Sequence, residues 1–270
     1  MVDQGNQGGR HRAGVSAMTK VIIEKSGPVK TIWMNRPEKR NALDSELMRE
    51  MIEALQAPVA PEDRVVVIRG KGNVFCAGLD MAERRETIGG GNASGIEVML
   101  RAVELCPLPV VAIVHGDAIA GGNELALHCD IVVASDKARF GMSLAQVGLA
   151  PNWFLAKKLM EVLGPVTTRE MLLLGDPLPS TKLHALGLIA RCVPPDELEA
   201  EASRVVDRLA ANAPLSLKAM KALTVRQLEF RDAIEHGDVD ALVQAAMKSQ
   251  DAQEGMKARL EKRTAKFQGR

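Results

Sequence analysis

A chain of 270 residues with 46% hydrophobic side chains is long enough for one large or two smaller domains with a sizeable buried core. Its 35 Lys and Arg nearly cancel its 34 Asp and Glu, so no global basic field argues for nucleic acid. The longest apolar runs, such as residues 109–114, are far too short to span a bilayer.

Residues 1–17 are polar and glycine-rich, lack the apolar stretch of a secretory signal, and read as a disordered leader; a cytoplasmic location is expected. "VIIE" and "KTIWM", separated by the turn signal "KSGPV", predict a hairpin. In "NALDSELMREMIEALQ" the period changes. Leu47, Met48, Met51, Ile52 and Leu55 share one helical face, with Asp44 as N-cap. "RVVVIRG" is a buried strand. A helix near Ile96 to Leu105, the strand "PVVAIV", a turn at "HGD", a helix from Gly121 or Gly122 and the strand "DIVVAS" follow. After about Asn152 the strand signals fade and seven segments carry helical spacing with capping or glycine stops, which predicts an all-helical last third. The glycine stretch at 89–95 follows charged, helix-like "MAERRETI" and not a buried strand, so it reads as a surface loop rather than a phosphate cradle.

Cys76, Cys106, Cys129 and Cys192 show no C-x-x-C spacing, and the five histidines form no H-E-x-x-H arrangement. Buried, reduced thiols and chemistry without a metal are expected.

The candidate chemistry starts at "HGDAIAGGNELALHCD". A strand, a turn and a helix place the first backbone N–H groups of that helix, Gly121 among them, at one end of the sheet, where the helix dipole favours negative charge. Glu124 stands one turn on, and helical side chains lean toward the N-terminus, so its carboxylate is expected to reach the spot faced by the Gly121 amide. A donor aimed at an oxyanion with a carboxylate alongside suits proton transfer at the carbon next to a carbonyl. Glycines that only permit close helix packing, with a glutamate that only favours a helix start, explain this stretch equally well. A second stretch, "GNVFCAGLDMAE", adds weight to the chemical alternative, because Gly78 would let the chain turn and expose the Leu79 amide as a second donor from another loop.

Together with "MNRPEKRNALDSELM", these stretches resemble the crotonase (enoyl-CoA hydratase/isomerase) superfamily, in order and at the expected separations, from about Met18 to Phe267. The resemblance implies an α/β fold: a crotonase-like spiral of ββα units over 18–200, then a C-terminal helical trimerisation region over 201–270, assembling as a homotrimer or homohexamer. It implies an acyl-CoA thioester as ligand, with coenzyme A as part of the substrate and no other cofactor, and neither nucleic acid nor membrane as partner. Gly121 and Leu79 take the oxyanion-hole roles and Glu124 matches one of the two catalytic glutamates of the hydratases. Glu38, Lys39 and Arg40, with the backbone of Phe75, Cys76, Ala77 and Gly78 and the neighbouring Asp80, would border the coenzyme; Lys262 resembles a terminal-helix lysine that meets its phosphate from an adjacent subunit. Trp153 packs against the acyl group or fills core.

The pattern departs from the family at two places. Leu144 stands where the hydratases carry their second glutamate, and Asn152, after Pro151, stands where some isomerases carry their carboxylate. Neither side chain exchanges a proton at neutral pH. Glu124 remains as a single acid/base for hydration or double-bond isomerisation; decarboxylation or hydrolysis of a thioester, and acyl-CoA binding without catalysis, are the alternatives. The chain has no tyrosine, which removes the phenol acids of some relatives.

Overall fold

The computed structural model describes residues 19–83 and 94–270; the expected leader and most of the glycine stretch at 89–95 lie outside them, although Ser94 and Gly95 already belong to a helix. The hairpin forms as expected, with β1 (Val21–Ser26) antiparallel to β2 (Val29–Met34) and Gly27 at φ +53. That sign of φ is what the first position of a II′ hairpin turn needs. Helix α1 (Ser45–Gln56) starts where Asp44 Oδ1 accepts the Leu47 N–H at 2.8 Å, and it buries Leu47, Met48, Met51, Ala54 and Leu55.

From here one unit repeats. A strand in a large sheet is followed by a short pairing in a small sheet and then by a helix. β3 (Val65–Gly70) leads through an isolated bridge at Cys76 toward α2 (Ser94–Leu105). β4 (Val110–Val114) and β5 (Ala118–Ile119) lead to α3 (Gly121–His128). β6 (Ile131–Ser135) and β7 (Arg139–Gly141) lead to α4 (Trp153–Arg169). The remaining elements are β8 (Leu178–Pro179), α5 (Ser180–Ala185), β9 (Arg191–Val193), α6 (Leu198–Ala210), α7 (Pro214–Leu228), α8 (Gly237–Lys248) and α9 (Gln250–Leu260).

The large sheet has the order β1-β2-β3-β4-β6-β9, parallel from β2 onward; the small one is β5-β7-β8. Parallel strands covered on both faces explain the continuous runs VVVI and VVAIV. Val66, Ile68, Val110, Ala112 and Val114 face the main core, whereas Val65, Val67, Val111, Ile113 and Val133 meet Leu198, Ala202 and Val206 of α6 on the other face. Helix α6 thus straddles the boundary expected at 200/201 and belongs to the sheet's packing.

The all-helical last third needs correction. β9 supplies the sixth strand of the large sheet, and β8 pairs with β7. Strands of two and three residues are too short to show a period-two pattern. Gly164, at φ +65 and ψ 171, divides α4 just before Pro165, where the sequence also places a glycine stop. Among the described residues no helix is long and apolar enough to cross a membrane.

Candidate active site

Two loops close on each other at one end of the sheets. Ile119 N–H donates to Cys76 O at 2.9 Å and Cys76 N–H to Asp117 O at 3.2 Å, so the stretch after β3 is zipped to the stretch before α3. Gly78, at φ +91, has no room for a side chain: a Cβ there would lie 2.9 Å from Ala120 Cβ and 3.1 Å from Gly121 N. The paired glycines before Glu124 divide their roles. A Cβ on Gly122 would stand 2.2 Å from Cys76 O, which makes Gly122 the residue of close packing. Gly121 is the first residue of α3, so its N–H has no acceptor within the helix. Ala120, at φ 49 and ψ −116, takes a conformation usual for glycine at the corner of a II′ turn, and so holds strain of about 1–3 kcal/mol at the helix entrance.

The Leu79 amide is directed by its pairing with Leu43. Leu43 N–H donates to Gly78 O at 2.7 Å and Asp80 N–H to Leu43 O at 2.9 Å. In such a parallel bridge the N–H of the middle residue faces the opposite way, and among the described residues the Leu79 N–H makes no hydrogen bond. Among the described residues neither amide is given a hydrogen-bond partner, and the two lie on either side of the Gly78–Gly121 contact. Three helices also begin here. Ile96 of α2 lies against Gly121, and Glu97 meets Asn152 at the head of α4, while two turns further along each helix Glu104 of α2 pairs with Lys158 of α4 at 2.5 Å. α2, α3 and α4 thus point the positive ends of their dipoles toward one region.

Glu124 is fully buried on α3, and neither carboxyl oxygen has a hydrogen-bond partner among the described residues. Buried polar atoms without partners are uncommon and call for a functional or structural reason. Burial pushes its pKa well above 4.5; the Lys158 ammonium opposes this and Glu104 adds to it, so the protonated form is favoured. Its Oε2 lies 3.6 Å from His128 Nδ1, one turn further on. His128 is itself sealed, and burial, aided by Lys158, pushes its pKa down to about 3. Its Nδ1–H donates to Glu124 O at 2.7 Å, a carbonyl that can only accept, so the contact with Oε2 is between two neutral groups and not an ion pair. Phe154 stacks on the imidazole with ring centroids 5.3 Å apart.

The other predicted residues fall into three groups. Glu38 and Lys39 lie in an exposed 3₁₀ turn (Pro37–Lys39) capped by Arg40, whose O accepts the Ala77 N–H at 3.0 Å, so the two stretches expected to border the coenzyme are adjacent. Phe75 and Cys76 place their side chains in the core, where burial raises the Cys76 thiol to about 12; only their backbone faces the loop. Asp80 is held by Arg36 Nη2 at 3.0 Å and by the Ala82 N–H at 3.1 Å, which makes it an anchor of the loop that carries Leu79. Leu144 is half-buried against the core. Trp153 is stacked on His236 at 4.5 Å and donates its indole N–H to Arg231 O at 3.3 Å. Lys262 is exposed just beyond α9, at φ 53.

Sequence reasoning missed Arg36, Asn41 and Glu97. Asn41 is fully buried; its Nδ2 lies within 3.2 Å of the carbonyls of Lys71, Val74 and Phe75, and its Oδ1 accepts the Arg36 N–H. It clamps the chain between β3 and Gly78. The stretch N-R-P-x-x-x-N-A-L, residues 35–43, carried the signal for Arg36 and Asn41. Among the described residues no group of His, Cys, Asp or Glu could hold a metal ion, and all four cysteines are free.

The enoyl-CoA hydratase/isomerase family matches residues 24–270, and the chain belongs to it. It is 32% identical over 267 residues to an enoyl-CoA hydratase (EchA19) of Mycobacterium tuberculosis, covering 96% of this chain and 100% of that one. A putative enoyl-CoA hydratase of Thermus thermophilus is 34% identical over 256 residues, 92% of this chain and 100% of the relative. Among solved structures, an enoyl-CoA hydratase of Mycobacterium avium subsp. paratuberculosis superimposes with TM-score 0.80 at 30% identity, over 92% of this chain and 98% of that one. A methylmalonyl-CoA decarboxylase superimposes with TM-score 0.85 at 25% identity, over 93% and 98%. The repeated strand–strand–helix unit is therefore the crotonase spiral that the sequence motifs imply.

Proposed function

We propose that this chain acts on enoyl-CoA thioesters, as a hydratase or a double-bond isomerase. The thioester oxygen sits between the Leu79 and Gly121 N–H groups, and Glu124 carries the proton to or from the α-carbon after a side-chain rotation toward Gly121. The observation that carries this is the pair of unbonded amides from two loops locked together at Gly78, a position where only glycine fits. Each such donor is worth roughly 10²- to 10³-fold in rate. A protonated Glu124 suits delivery of a proton to an enolate. The test is incubation with crotonyl-CoA and longer enoyl-CoAs. Loss of the conjugated thioester chromophore is expected for at least one chain length; persistence of the chromophore for all of them contradicts the proposal.

Decarboxylation of a CoA thioester is the second reading, favoured by the superposition on a methylmalonyl-CoA decarboxylase and by Leu144 in place of an acid. That reaction needs only an enolate hole and a proton for the α-carbon, both of which the same groups supply. Carbon dioxide released from a 2-carboxyacyl-CoA, with no change in enoyl-CoA, would select it.

Lys262→Ala is expected to weaken coenzyme A binding by about 3- to 10-fold at low salt, with the gap to wild type narrowing as salt rises, if its ammonium meets a phosphate. Unchanged affinity in calorimetry removes Lys262 from the site. Helix α7 buries only Lys221, whose Nζ ties it to Asp130 and to the carbonyls of Val103 and Leu108, while Leu215, Met220 and Leu223 are 60–81% exposed and Leu242 of α8 is 71% exposed. Apolar surface of that extent calls for a partner. Sedimentation is expected to show a trimer or hexamer, and a stable monomer at micromolar concentration would contradict the assembly.

A further inference from the structure

The acid positions at Leu144 and Asn152 are empty in the sequence, yet the structure holds a carboxylate against one of them. Asn152 caps α4: its Oδ1 accepts the Leu155 N–H at 3.0 Å. An N–H can be met only by the oxygen of the amide, so Nδ2 must face the other way, and there it donates to Glu97 Oε1 at 2.5 Å. The place where a carboxylate could have come from α4 is thus served by one from α2.

We propose that Glu97 is a second catalytic group of this site, taking the proton from the water that adds to the β-carbon of the enoyl thioester. The proposal rests on the thioester function set out above. Four observations lead to it. Glu97 follows Ile96, whose Cδ1 would lie 2.9 Å from a Cβ on Gly121, so its turn of helix abuts the amide that receives the oxyanion. Its Oε2 makes no hydrogen bond or ion pair among the described residues, because Arg101, one turn on, turns to Glu104, Glu229 and Asp232. Glu97 lines a cavity of about 910 Å³ together with Phe154, the ring stacked on His128 beside Glu124, and Leu55, Val98 and Leu105 give that cavity an apolar wall suited to an acyl chain. Burial raises the Glu97 carboxyl above 4.5, with the Asn152 hydrogen bond opposing it, which makes its ionised form a better proton acceptor.

The step balances. The water O–H bond breaks, its proton goes to Glu97 Oε2, and the hydroxyl oxygen bonds to the β-carbon. The double-bond electrons move to the thioester oxygen, held by the Leu79 and Gly121 N–H groups. The enolate then returns its electrons to the α-carbon, which takes the proton of the Glu124 carboxyl. Glu97 ends protonated and Glu124 ionised; exchange with solvent as product leaves restores both.

The experiment compares two reactions on the same preparations: hydration of an enoyl-CoA series, and exchange of the α-protons of butyryl-CoA in heavy water, which needs the oxyanion hole and Glu124 but no added water. Glu97→Gln keeps an acceptor for Asn152 Nδ2, so the cap and the local fold persist. It is expected to lower hydration by at least about 100-fold and to leave α-proton exchange within about 3-fold of wild type. Glu97→Asp, which withdraws the carboxylate by one methylene, is expected to hydrate at an intermediate rate with exchange again retained. Hydration by Glu97→Gln within about 3-fold of wild type overturns the proposal, as does a parallel loss of hydration and exchange in both variants. A wild-type protein that neither hydrates nor exchanges defeats the thioester function itself, a result read without any Glu97 variant.

Discussion

Glu124→Gln is expected to lower turnover of enoyl-CoA by at least about 100-fold and to leave acyl-CoA affinity within about 3-fold, because an amide keeps the shape of the carboxyl and cannot exchange its proton. The same variant is expected to be more heat-stable than wild type at neutral pH. In the folded chain burial holds the Glu124 carboxyl protonated well above 4.5, whereas in the unfolded chain it ionises from about that pH upward. Wild type therefore loses stability as pH rises above 4.5, until the folded group also ionises, and a glutamine at 124 has nothing to lose. Melting curves of the two proteins should nearly coincide at about pH 4 and separate by about pH 7.5, with the variant higher; each unit by which the folded pKa is raised is worth about 1.4 kcal/mol at the upper end of that window. Full turnover in Glu124→Gln would show that the glutamate only serves the helix start, and equal melting at both pH values would show that the buried carboxyl is not held neutral.

The largest effect on the fold is expected from Gly122→Ala. The added Cβ would meet Cys76 O at 2.2 Å and Cys76 C at 2.8 Å, backbone atoms that Ile119 and Asp117 hold in place. The start of α3 must then draw away from the loop of Gly78, at a cost of about 3 kcal/mol or more. A lowering of the melting temperature by about 10 °C, or failure to accumulate folded protein, is expected. Gly121→Ala is the control. Its Cβ would be tight only against side-chain ends, Ile96 Cδ1 at 2.9 Å and Leu43 Cδ1 at 3.1 Å, which can move, and would meet backbone at Gly78 Cα at an ordinary 3.5 Å. Equal melting of the two alanine variants would contradict the division of roles between the paired glycines.

What could be read from the sequence followed from how far each signal reaches along the chain. The helix of Leu47, Met48 and Met51 announces itself by spacing and by the Asp44 cap, and the long apolar strands by their composition. The two loops that supply the candidate donors carry Gly78 and Gly122 in the sequence because a Cβ at either would run into the backbone of the other loop. β8 and β9 were hidden because two or three residues hold no period, and they exist through pairing with β7 and β6, distant in sequence. Glu97 was hidden for a similar reason. In its helix it is one charged residue among alternating charges, and only the packing of α2 beside the head of α4 gives it Asn152 as a partner. Asp80 is held by Arg36, a charge 44 residues away in the chain, a pairing that no local pattern announces.

The central claim is that two backbone amides and a buried carboxyl stabilise and protonate a thioester enolate. It is tested most directly by a mass-resolved screen of an acyl-CoA panel in heavy-oxygen water, covering enoyl, saturated and 2-carboxyacyl thioesters of several lengths. The account predicts that an enoyl-CoA is converted, either gaining one labelled water as a 3-hydroxyacyl-CoA or shifting its double bond, which leaves the mass unchanged and is read by loss of the conjugated chromophore, while saturated thioesters stay intact. A panel that binds and emerges unchanged, or that gives only labelled free acids from cleavage of the thioester, would contradict it.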